Sequence, residues 1–170
     1  MPNDLKIYTA ALLDALSAEA ARLPRRRKNL NVHPVLADPV QRLFNALEPG
    51  TYARPHRHAR DHGWELMVVV RGAFSVLHFD DAGRVLARAD LHAGDGDCAV
   101  EIPAHAWHSV VSLAPGTILF ESKPGPYSPI EDKEFAVWAP PEGDPLAPGW
   151  VRWFETAKSG DPAPASSDLP

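Results

Sequence analysis

Cysteine is nearly absent: Cys98 is the one thiol in 170 residues. A lone cysteine cannot close an intrachain disulfide, and a zinc site built from several thiolates is excluded. Long apolar runs are missing too, with no stretch of about 18 residues that would span a bilayer. The opening Met1-Pro2-Asn3-Asp4 carries neither the basic nor the apolar region of a secretory signal, which predicts a cytoplasmic protein with no membrane partner. Positive charge is in short supply, because 17 Lys and Arg face 22 Asp and Glu for a formal net charge of −5. A protein that grips phosphate backbones presents a positive face, so nucleic-acid binding is not expected, and no helix-turn-helix pattern is present. The exception is the basic run Arg25, Arg26, Arg27 and Lys28, which reads either as solvated surface or as a clamp for an anionic ligand.

Apolar residues make up 45% of the chain and charged residues 23%, enough for the core of one globular domain. The 18 prolines and 11 glycines favour many short strands over a helical bundle. One helix is expected over residues 9–23. Thr9 can cap it, Leu12, Leu13, Leu16, Ala20 and Leu23 share a face, and Pro24 ends it. From residue 39 short apolar or alternating runs predict strands at Trp64–Arg71, Ala73–Phe79, Arg84–His92, Cys98–Ile102, Trp107–Leu113 and Thr117–Lys123. That many antiparallel strands must close into a barrel or sandwich to hide their edges. The expected organisation is therefore an N-terminal helix and basic linker over 1–38, an all-β barrel over 39–140, and an irregular C-terminal extension over 141–170. Phe135, Val137 and Trp138 are expected to return over the barrel, and the small, polar stretch from Ala157 to Pro170 reads as a disordered tail.

Histidine placement carries the chemistry. His56 and His58 stand two apart in an extended segment, so both imidazoles aim to one side. Glu65 opens the next strand and His108 lies on a later one. Three imidazole nitrogens and a carboxylate oxygen suit one divalent transition metal (Fe, Mn, Zn, Ni, Co or Cu) and leave positions open for substrate. The pattern Gly50-x5-His56-x-His58-x6-Glu65-x6-Gly72 resembles the first cupin motif, and Pro103-x-His105-x2-His108 resembles the second. The loop before Glu65 is longer than usual in that motif, which makes His62 an alternative ligand. His105 and Ser112 stand where glycine and asparagine are common.

The strings PRRRKNLNVH, DPVQRLFNALEPGTYARPHRH, WELMVVVRG, EIPAHAWHSVVSLAPGT and KPGPYSPIEDKEFAVWAPPEG are similar to the WbuC-type cupin-fold metalloproteins, over about residues 24–143. The resemblance implies a cupin jelly-roll barrel, the ligands His56, His58, Glu65 and His108, and a homodimer. It also implies a setting in bacterial polysaccharide biosynthesis, hence a carbohydrate or nucleotide-sugar ligand.

Three further residues are candidates for catalysis. Arg54, two before His56, is expected to point toward the metal and to need an anion such as Glu121, another carboxylate or the substrate. Tyr52, two further back, would share that face, and His105 is either a loop residue or a proton shuttle. Lys123 and Tyr127 bracket a proline turn and read either as turn decoration and ring packing or as lining the entrance, while Trp107 should point away from the metal. The reading that follows is a metal-dependent isomerase, lyase or oxygenase acting on an anionic or sugar-like small molecule. The alternatives are a non-catalytic metabolite-binding module, or a metal-free epimerase-like protein working through a His/Tyr pair.

Overall fold

The computed structural model describes residues 4–58, 61–127, 133–165, 167 and 169. The chain opens with α1 (Ala10–Arg22), where the Thr9 side chain accepts a hydrogen bond from Leu12 N at 3.2 Å. Its Leu13, Leu16 and Ala20 bury against Ala46 and Ile118. The helix ends just before Pro24, whose ring cannot continue the hydrogen-bond ladder. Strands follow as β1 (Arg27–Asn31), β2 (Val40–Leu47), β3 (His56–Arg57), β4 (Glu65–Arg71), β5 (Ala73–Phe79) and β6 (Val85–His92). They continue as β7 (Ala99–Ile102), β8 (Trp107–Ser112), β9 (Thr117–Pro124) and β10 (Glu134–Phe135), and α2 (Ala147–Thr156) closes the order.

Two five-stranded sheets face each other, ordered β1-β2-β9-β4-β7 and β10-β3-β8-β5-β6, and every recorded pairing is antiparallel. Strand alternation divides the apolar residues of β5 between two cores. Phe74 and Val76 point between the sheets with Leu47, Met67, Leu91 and Leu119. Leu77 and Phe79 point outward and are covered by Trp150, Val151 and Phe154 of α2. Gly72 makes the β4–β5 turn at φ +71°, and a Cβ there would stand 2.5 Å from Thr117 Oγ1, so both backbone and space demand glycine. No helix among the described residues is long and apolar enough to cross a membrane.

The C-terminal region departs from the sequence reading. The supposedly irregular extension contains α2, whose Pro148 falls in the first helical turn, where no N–H is needed. Described residues of the stretch read as a disordered tail pack down as well. Val85 N donates to Asp161 O at 2.9 Å, Gly160 N donates to Val85 O at 2.8 Å, and Leu169 lies against the α2 core. At the other end, sheet pairing begins with β1, ahead of residue 39. Phe135 pairs across to His56 and Trp138 stacks on Trp150, whereas Val137 is 95% exposed.

Candidate metal centre

Local structure explains why the four polar residues meet. β3 pairs with β8 so that His56 stands opposite His108, and His58 follows just beyond β3. Glu65, the first residue of β4, reaches them from the opposing sheet. One ligand atom from each of His56, His58, Glu65 and His108 lies within 4.8 Å of the others, and all four residues are buried. His56 Nδ1 sits 3.0 Å from Arg54 O, and His108 Nδ1 sits 2.9 Å from Ala106 O. A carbonyl oxygen only accepts, so each Nδ1 carries the hydrogen and each Nε2 presents a lone pair to the cluster. His56 Nε2 is buried with no hydrogen-bond partner among the described residues. Glu65 Oε2 lies 3.1 Å from His108 Nε2 and 3.4 Å from His58 Nε2.

Charge within the cluster favours a cation. Burial, reinforced by Lys133 and His108, holds the His56 imidazole well below its usual range, so it is neutral and able to ligate. Burial alone would raise the Glu65 carboxyl. Lys123, with contacts from His108 and His58, outweighs that effect and keeps it ionised. Lys123 Nζ stands 3.4 Å from Glu65 Oε1 and 2.7 Å from Glu121 Oε1, while Asn45 Nδ2 donates to Glu121 Oε2 at 2.7 Å. Glu121 is pushed up to about 7 by burial and by the negative charge of Glu65. Three neutral or neutralisable nitrogens around one ionised carboxylate fit a divalent transition metal.

A cavity of about 450 Å³ opens beside the cluster. His56, Glu65 and Glu121 line its inner end, Met67, Val110 and Leu119 form apolar wall, and Arg54 and Lys133 add positive charge.

A family model described as a domain of unknown function (DUF6016) matches residues 8–91, just under half the chain. No curated protein matches the sequence. Among solved structures, CapF with the inhibitor 3-isopropenyl-tropolone is 19% identical, with a TM-score of 0.56 over 67% of this chain and 32% of its own. An oxalate oxidase in complex with the substrate analogue glycolate is 16% identical, with a TM-score of 0.52 over 68% of this chain and 57% of its own. The fold is a cupin jelly roll. The chain thus spans about a third of CapF and under two thirds of that oxalate oxidase.

Within the cupin barrel the other candidate residues separate. Arg54 lines the cavity with His56, and no carboxylate among the described residues meets it. Its Nη2 donates to Ala136 O at 2.7 Å, its guanidinium lies 5.5 Å from the Phe135 ring centroid, and its buried Nε has no partner among the described residues. Tyr52 is not brought to the cavity. Residues 51–55 form no strand, so alternation does not carry its ring to the His56 side. The ring stacks on Phe154 instead, and its hydroxyl, raised further by burial, donates to Pro140 O at 2.8 Å. His105 is exposed on the turn before β8, near Asp61, at φ +65°. That left-handed backbone explains why glycine suits the position. His62 is exposed and stands outside the cluster, which contains Glu65. Trp107 points away, donating to Asp81 Oδ1 at 2.9 Å. Cys98 is exposed. Lys123, read as turn decoration or as lining the entrance, is instead buried against Glu65 and Glu121. The missed signal was strand alternation in β9, which sends Leu119, Glu121 and Lys123 to one buried face.

Proposed function

We propose that this cupin is a metal-dependent enzyme acting on a small anionic molecule, with His56, His58, Glu65 and His108 as the metal ligands. The observation that carries the reading is the convergence of the imidazoles of His56, His58 and His108 on one ionised carboxylate, with two of the rings fixed by backbone carbonyls. A divalent metal bound there supplies Lewis acidity toward a carbonyl or hydroxyl oxygen of the substrate. Lys123 holds the second oxygen of Glu65 and so orients its carboxylate. Arg54, with an unused buried N–H, receives the anionic group of the substrate. The apolar wall of Met67, Val110 and Leu119 packs the carbon skeleton and keeps water away from it. A metal-free His/Tyr acid–base pair finds no support, because the Tyr52 hydroxyl is bound in the core and His105 faces solvent.

Cobalt(II) substitution tests the ligand set. The wild-type protein develops the intense visible bands of low-coordinate cobalt, and His108→Ala gives only the pale spectrum of the hydrated ion. A hydrated-ion spectrum from the wild type contradicts the reading.

A further inference from the structure

The cavity at the metal centre does not end there. A second cavity of about 450 Å³ adjoins it, and Arg25, Arg27, Asn45, Tyr127 and Lys133 line both. Its remaining wall mixes Lys28, Asn29, Asn31 and Gln41 with Leu23, Leu36 and Leu43. Arg25 and Arg27 stand where the two chambers meet, so an elongated molecule that reaches the inner one can place a charged end at that junction.

The basic run builds the junction. Arg26 takes the left-handed conformation at φ +52° and sends its Nε outward to Pro49 O at 2.7 Å. Its two neighbours converge on Glu142. Arg25 donates from Nε to Glu142 Oε1 at 2.6 Å and from Nη2 to Oε2 at 2.9 Å, and Arg27 donates from Nη2 to Oε2 at 2.9 Å. Both arginines are held in place. Arg27 Nη1 donates to Tyr52 O at 2.7 Å, and the Thr51 hydroxyl donates to Arg25 O at 2.8 Å. Two guanidiniums therefore face one carboxylate, which leaves a positive charge unbalanced in that group. A phosphoryl dianion balances both cations and offers a third oxygen to the three donors, where a carboxylate offers two.

We infer that the two cavities form one site for a phosphorylated small molecule, with Arg25 and Arg27 as its phosphoryl subsite. Glu142 is an internal carboxylate that occupies this subsite until a phosphoryl group displaces it. The inference rests on the proposed metal centre only for what lies at the far end of the molecule.

Calorimetric titration of metal-free protein with inorganic phosphate tests the subsite independently of the metal, and the same titration of His56→Ala repeats it where the metal site is broken. Removing the competing charge in Glu142→Gln tightens phosphate binding by about tenfold, the worth of one charge-assisted contact. Adding Arg27→Gln to that variant abolishes the gain. Acetate gains far less than phosphate. Unchanged phosphate affinity in Glu142→Gln, retention of the gain without Arg27, or an equal gain for acetate each overturns the phosphoryl assignment. A subsite that survives while His56→Ala and wild type bind metal alike overturns the metal centre and leaves the inference standing.

Discussion

The imidazoles of His56 and His108 are aimed by main-chain carbonyls, and the carboxylate of Glu65 by a buried ammonium. Lys123→Met keeps the length of that side chain and removes its charge. Groups that orient metal ligands in this way are worth roughly 10- to 100-fold in affinity, so a chelator competition should show metal weakened by that factor. Unchanged affinity would show that Glu65 needs no support. Arg54→Ala should leave metal content intact while weakening the binding of a small carboxylate such as oxalate to the metal-loaded protein, and equal affinity would remove Arg54 from the site. The four clustered residues were legible in the sequence because motif spacing and strand alternation both point to them. Tyr52 was not, since its segment is irregular where alternation was assumed. Glu121 was legible as an interior carboxylate, but its pairing with a buried Lys123 was not, because charged residues on an inward strand face run against the usual rule, which is itself the mark of a functional interior.

At the level of elements, β4 to β9 were readable from short apolar runs and turn residues, whereas β1, β2, β3 and β10 were not singled out, and α2 was hidden by Pro148 and the prolines before it. Composition gave no sign that Pro148 would fall in a first turn, or that Trp150, Val151 and Phe154 would cap the outer face of β5 and β8. Phe154 is fully buried, and Phe154→Ala should cost about 3–5 kcal/mol in urea unfolding. A loss below about 1 kcal/mol would mean that α2 is only loosely attached. The helix has no basic residue in its own last turn, and Arg88 of β6 fills that role. Arg88 donates to Phe154 O at 2.6 Å and to Ala157 O at 3.2 Å, satisfying carbonyls at the negative end of the helix dipole.

Across the whole molecule, carboxylates held ionised by neighbours tie stability to pH. Burial alone would raise the Asp90 carboxyl, but hydrogen bonds from Ser75 and Arg88 bring it below its ordinary value. A group depressed in the folded state contributes its stability above the unfolded pKa, about 4, and loses it as pH falls through the folded value. Wild type should therefore exceed Asp90→Asn in urea stability at neutral pH, and the gap should close as pH falls through the lowered folded value. A gap that persists in acid would contradict the ion-pair account. Elemental analysis of untagged protein tests whether the two facing sheets close around one metal. Wild type expressed without added metal should carry about one equivalent of a first-row transition metal, and His56→Ala should carry little while keeping its circular dichroism spectrum. Equal metal in both proteins, or none in wild type, would contradict the account.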